Sequence, residues 1–402
     1  MKDIAGKFSQ VILVRFLPGV LNVGTLLLIV EWLSTGQFGE YSTVVATTAF
    51  VANLVFGPLI FAIVPYHARF ESEGQGKQFE AAVISTALVI STLFVAIGAL
   101  VAVGGLTPIA YVAPGVTFGL YTIALEVLRA RLRFWSFGLA SIIQSLILLS
   151  GVLYYVARNP DAETALHVFS VSYLISFLFA LALIGNIRLV RPNLALLGDS
   201  LSEGGKYTLS AGLEGSLTLS LRYMVLLLGS PQLLGAFSFA LDFAQRVIGI
   251  FINILSFTVV PTAFKTHGYD RQQFESNLRR GAAYAATACV LALFATIIGS
   301  NFSWIPGIGS ALFDPVSFIL ISLAVIVNRT KKITIDQVAL RDGNAGAILR
   351  GMMVAMPISL LVAWGLHYVT SAFAEVAFLT GYLTASAATA YAAWQMRGRA
   401  PD

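Results

Sequence analysis

The chain has 402 residues, 57% of them hydrophobic and only 11% charged. A soluble domain carries roughly 25% charged residues, so this chain cannot clothe its surface in water and needs a bilayer over much of it. That excludes an ordinary soluble enzyme, a disordered chain and a secreted disulfide scaffold. The balance of 25 basic to 20 acidic residues makes no nucleic-acid patch, and one cysteine, Cys289, forbids internal disulfides and cysteine metal clusters.

A helix crosses the hydrocarbon core in about 20 apolar residues. In chain order such stretches lie near 9–31, 42–65, 80–104, 106–126, 136–157, 165–187, 207–229, 234–261, 280–300, 304–328, 345–367 and 372–395. Solid apolar runs predict helices, because a membrane barrel would alternate instead. The first run carries Arg15 and Pro18 and lacks a small-residue cleavage site, so it reads as an uncleaved span. With the N-terminus inside, every Lys and Arg falls on the cytoplasmic side except Arg158 in an outer loop and Arg15, Arg222 and Arg246 within spans. The positive-inside rule demands this asymmetry, and it places both termini in the cytoplasm.

The chain resembles itself at an offset of about 195 residues. Residues 35–42 (TGQFGEYS) line up with 231–238 (PQLLGAFS), Val64 and Pro65 with Val260 and Pro261, and 78–80 with 273–275. The expected architecture is all-α: about twelve transmembrane helices in two parallel six-helix lobes, related by a pseudo-two-fold axis along the membrane normal. The lobes span 1–190 and 207–402, joined by a polar cytoplasmic linker at 191–206. Pro65 and Pro261 read as helix stops, with a hinge as the alternative.

The segment Gly36 to Ser42, opening the second span, and the tract Leu128 to Phe134 after the fourth resemble the Wzx-type polysaccharide flippases. These belong to the multidrug/oligosaccharidyl-lipid/polysaccharide (MOP) exporter superfamily. The resemblance implies two lobes around a charged cavity, and movement of an undecaprenyl-pyrophosphate-linked oligosaccharide to the outer leaflet for surface polysaccharide biosynthesis. It implies no ATPase and no cofactor. The implied partners are membrane lipids and the polymerase and export proteins of the same route.

Ionisable residues at membrane depth cost about 2.5–3.5 kcal/mol on insertion scales. In the seventh span Ser210, Glu214, Thr218 and Arg222 recur every four residues, with a loosened turn expected at Gly212 or Gly215. In the eighth, Asp242, Arg246, Gly249 and Asn253 share a face, as do Arg15, Pro18, Gly19 and Asn22 in the first. We therefore expect Arg15, Asn22, Glu214, Thr218, Arg222, Asp242, Arg246 and Asn253 to line one cavity. The alternative is that the charges are buried structural pairs. At 1.5 Å per residue, Arg222 and Asp242 reach similar depth on antiparallel neighbours, which predicts their contact; Asp242 could instead meet Arg246. The net positive sum suits an anionic head group, since Arg grips phosphate oxygens in pairs. Glu214 as carrier of a coupling H+ or Na+ is a second reading, with Arg222 or Arg15 nearby holding it ionised.

Glu31, Asp314 and Glu375 read as solvated rim residues. The tract Arg129 to Arg133, with Phe134 and Trp135, reads as an interface anchor; meeting anionic head groups is its sharper alternative. The four histidines have no metal-ligand spacing, and no phosphate-binding Gly-Lys loop is present. A cation or drug antiporter of the same superfamily would want a net acidic cavity. A polymerase or glycosyltransferase would want a charge-rich outer loop. Neither is seen, and the chain reads as a transporter, not an enzyme. A lateral gap between the first and eighth spans would let a polyprenyl tail stay in lipid.

Overall fold

The structure, a computed structural model, describes residues 2–103, 112–185, 190–191, 194–267, 271–300, 315–341 and 345–397. Among these there is no strand. The helices are α1 (Lys2–Trp32), α2 (Thr35–Ser72), α3 (Gly76–Val103), α4 (Ala113–Ala130), α5 (Phe134–Gly151), α6 (Ala162–Ile184), α7 (Leu194–Leu228), α8 (Pro231–His267), α9 (Arg271–Ser300), α10 (Pro315–Ile333), α11 (Ile335–Arg341), α12 (Ala345–Leu366) and α13 (Phe373–Arg397). A π-helical turn, Val152–Val156, extends α5.

Each predicted span matches one helix to within a residue at either end, with 136–157 completed by the π-helical turn, apart from the portions at 104, 106–111, 186–187 and 304–314, which lie outside the described residues. Among the described residues eight helices are long and apolar enough to cross a membrane by length and composition alone. On α3, Leu93, Ile97 and Leu100 are all exposed at helical spacing. Such a stripe is intolerable in water and natural against lipid.

Several helices outrun their apolar stretches. Both expected proline stops are overturned: α2 continues past Pro65 to Ser72, and α8 past Pro261 to His267. Pro removes one backbone donor, but membrane helices tolerate that when neighbouring groups re-satisfy the freed carbonyl. The stretch 191–206 is helical from Leu194, and α7 runs unbroken through Gly212 and Gly215, so the expected loosened turn is absent.

By its contacts the chain falls into two compact units, Met1–Ser42 with Leu213–Asp402, and Thr43–Gly212. The unit Thr43–Gly212 packs α4 on α6, with α3 against α4 and α5 against α6. Gly119 lets α4 approach α2: a Cβ there would lie 2.2 Å from the Phe56 ring. At its basic end a buried polar joint ties four segments. Glu80 on α3 accepts from Arg131 Nε at 2.6 Å and contacts His67 Nε2 on α2 at 2.8 Å. Arg131 Nη2 closes a second bond to Glu80, and Nη1 donates to the Ile184 carbonyl at 2.6 Å. Asp161 caps α6, accepting from the Thr164 amide at 2.7 Å.

In the other unit α1 lies on α8, and α10 packs on α8, α9 and α13. The α1–α8 approach is close because Gly19 has no side chain; a Cβ there would sit 2.5 Å from Ile250 Cγ1. The expected lateral gap between these two helices is therefore filled by direct packing. The openings of α2 and α8 also cross tightly. A Cβ on Gly39 would lie 3.1 Å from the Gly235 amide nitrogen, and one on Gly235 would lie 2.2 Å from the Thr35 carbonyl oxygen. These two glycines are equivalent in the internal repeat. The distances predict an asymmetric response: Gly235→Ala, which must push backbone away, loses about 2 kcal/mol, and Gly39→Ala less than about 1. Thermal unfolding of the two purified variants measures the difference.

Candidate functional site

From Glu214 to Arg222 the polar face of α7 meets four helices, α2, α8, α10 and α13. At one end stands Arg222, 2% exposed. Its Nη2 donates to Asp242 Oδ1 on α8 at 2.5 Å, the contact expected from helix rise. Its Nη1 donates to Ser42 Oγ at 2.5 Å and Ser238 Oγ at 3.0 Å. Ser42 in turn donates to the second oxygen of Asp242. Three helices thus converge on one guanidinium. Ser42 and Ser238 are themselves repeat equivalents, so one cation bridges the same position of both halves.

One turn inward, Thr218 lies within hydrogen-bonding reach of the buried Tyr382 on α13. A turn further in is Glu214. Its Oε1 accepts from Asn328 Nδ2 at 2.8 Å, and its Oε2 pairs with Lys332 Nζ at 2.7 Å. The cation beside Glu214 is therefore Lys332, where Arg222 or Arg15 was expected. Lys332 stands past the apolar part of α10, and its long stem carries the ammonium to Glu214. Just beyond it, Lys331 holds Asp336 of α11 at 2.7 Å. Burial keeps the Asp336 carboxyl above the ordinary carboxylate range, with Lys331 opposing it.

On the α1–α8 side, Arg246 Nη1 donates to the Asn22 carbonyl at 2.9 Å. This settles the alternative for Asp242, which bonds Arg222 and leaves Arg246 to α1. Arg246 has no carboxylate partner among the described residues. Arg15 sits on the same helix as Asn22, half-buried. Asn253 continues α8, but its side chain lies outside those described, as does that of Ser210. Of the expected rim acids Glu31 is exposed, and Asp314 lies outside the described residues. Glu375 is a correction: it is 2% exposed, in the first turn of α13, where the helix N-terminus favours a carboxylate.

Thus α7 and α8 share the Arg222–Asp242 cluster, α7 and α10 share the Glu214 cluster, and α1 and α8 share Arg246. Reasoning from the sequence missed Lys332, Asn328, Ser42 and Ser238. The serines stand in the aligned repeat segments, so the alignment held a usable signal. Asn328, the last residue of the predicted tenth span, was the other.

No family model matches this sequence, and no curated protein sequence does. Solved structures do match. An inward-facing multidrug-resistance MATE family transporter of the MOP superfamily superposes with a TM-score of 0.73 at 11% identity, covering 95% of each chain. The lipid II flippase MurJ, in an inward closed conformation, gives 0.64 at 11% identity over 96% of this chain and 87% of its own. A MOP superfamily transporter from Pyrococcus furiosus, whose reversed binding-pocket polarity is said to suggest a different function, gives 0.64 at 11% identity over 98% and 95%. The fold is thereby set: it is the one these multi-pass helical transporters share. The particular fold is that of the MOP superfamily.

Proposed function

We propose that the protein flips an undecaprenyl-pyrophosphate-linked oligosaccharide across the cytoplasmic membrane for surface polysaccharide biosynthesis. It works as a secondary transporter, by alternating access around a net-cationic cavity, and carries out no covalent chemistry. Its termini face the cytoplasm, where the basic loops lie. The observation that carries this reading is Arg246: a full positive charge on α8, held only to a backbone carbonyl of α1 and answered by no acid among the described residues. Glu214 and Asp242 are each already paired with a cation, so the balance of charge at membrane depth favours an anion such as a diphosphate. The Pyrococcus neighbour supports the principle that pocket polarity separates functions on this fold. Arg15, Asn22 and Asn253 would complete the lining with Arg246, while Thr218 and the two ion pairs hold α7 in place.

Loss of the gene should leave lipid-linked repeat units on the inner leaflet. Wild-type protein should clear them, and Arg246→Ala should cut clearance by at least about tenfold, the scale of a lost charged contact of 1.5–3 kcal/mol. Normal clearance by Arg246→Ala removes the assigned role. If no lipid-linked intermediate accumulates, the second reading gains: a cation or drug antiporter using Glu214, tested by drug sensitivity of the deletion strain.

A further inference from the structure

A second cationic site lies far along the chain from these clusters, at the basic end of the unit Thr43–Gly212. There Lys77, Arg131, Arg133, Leu183, Ile184 and Gly185 line an open pocket of about 320 Å3. Three elements build it: the start of α3, the turn between α4 and α5, and the end of α6. The turn is shaped for the purpose at some cost. Leu132 at its tip has φ +55°, a left-handed conformation that a branched side chain rarely adopts. Such strain persists only where the surroundings over-determine it. Here the strained residue separates two arginines that both turn back onto α6: Arg131 donates to the Ile184 carbonyl at 2.6 Å and Arg133 to the Leu183 carbonyl at 3.2 Å. Gly185, at φ +70°, ends α6 beneath them.

The charges do not cancel. Glu80 is committed to Arg131 from the buried side and is 4% exposed. Arg133 meets only a neutral carbonyl, and Lys77 has no partner among the described residues. A guanidinium offers five N–H donors in a planar fork, so Arg133 keeps most of its fork free, and Arg131 part of its own. The helix C-terminus would repel an anion, but its last carbonyls are already engaged by the two arginines. What remains is a wall of N–H donors from two arginines facing an ammonium, with hydrophobic Leu183 at the edge.

We infer that this pocket binds a phosphate-class anion at the membrane surface, with Lys77 and Arg133 as its principal contacts and Arg131, fixed by Glu80, as its template. The ligand is a phosphomonoester or diphosphate, supplied either by a lipid head group or from solution. On the flippase reading above, it is where the cargo's diphosphate docks before it enters the membrane.

The test uses the full-length protein in phosphatidylcholine nanodiscs, with the other tryptophans replaced by Phe so that Trp135, exposed and next but one to Arg133 in the chain, gives the fluorescence readout. The probes are inorganic pyrophosphate, and phosphatidic acid incorporated in the disc. Saturable quenching by either, weakened at least tenfold in Lys77→Gln/Arg133→Gln, supports the site. A response to phosphatidic acid alone assigns it to lipid head groups; a response to pyrophosphate as well assigns it to the phosphate chemistry whatever its source. No saturable response to either probe, or an equal one in the double variant, overturns the inference. Both side chains are exposed, so the variant should fold, and its unfolding temperature checks that. Clearance of lipid-linked intermediates is measured in parallel. Unbound anion with normal clearance sinks the site and spares the flippase reading; bound anion with no clearance in the wild type does the reverse.

Discussion

Arg222→Leu should destabilise the protein by about 3 kcal/mol, and Asp242→Ala by at least as much, because each leaves a buried charge without its counter-charge. Together they should nearly cancel, leaving the double variant within about 1 kcal/mol of wild type. These substitutions are not arbitrary. The repeat equivalents of Arg222 and Asp242 are Leu26 and Ala46, so the double variant gives the second half the residues that the first half already carries. Unfolding of the three proteins in mild detergent measures the cycle. Transport then separates scaffold from function. A hydrogen-bonded cluster can trade its partners for water when the outer helix ends part, whereas Leu and Ala packed together cannot. The double variant is therefore expected to keep its fold and lose transport. Transport at the wild-type rate would show that the cluster only holds the helices together.

The second large effect concerns Lys332. Its ammonium lies 2.7 Å from Glu214, in the place a coupling cation would need to occupy. Wild-type unfolding should therefore be the same in sodium and choline salts. Lys332→Met removes the ammonium and leaves Glu214 its bond from Asn328 and the more distant charge of Arg329. That should cost about 1–2 kcal/mol, a charged hydrogen bond discounted for partial exposure. Sodium, but not choline, should restore part of the loss by occupying the vacated position. Sodium stabilisation already present in the wild type would mean that the ion displaces Lys332, and would revive Glu214 as a coupling residue.

The spans were legible because lipid leaves one signal, apolarity, in command of where helices lie. That signal failed where helix and apolarity part company. The ends of α2 and α8 continue as helix through proline and polar residues, and α11 has too few residues to show a period. The Arg222–Asp242 contact was legible because it needs only rise per residue and antiparallel neighbours. The Glu214–Lys332 pair was not: Lys332 counts as a loop residue by position, and only a long flexible stem brings its charge inward. Likewise, no spacing in the chain announces that Glu80 joins His67 and Arg131, since three separate elements must first fold together. The direct packing of α1 on α8 hinges on Gly19, and a glycine in a membrane helix signals a close approach without naming the partner.

The serines at 42 and 238 share one nitrogen of one arginine. If the expected pseudo-two-fold relates these serines, Arg222 stands on its axis, and a point on an axis has no second copy, so it must come from one half alone. Had both halves kept an arginine, two guanidiniums would compete for a single pair of hydroxyls, with like charges in contact and little water to screen them. A chain built on such a repeat is free to stay symmetric everywhere except along its axis. At that place the sequence is obliged to choose, and here it chose leucine at 26 and arginine at 222.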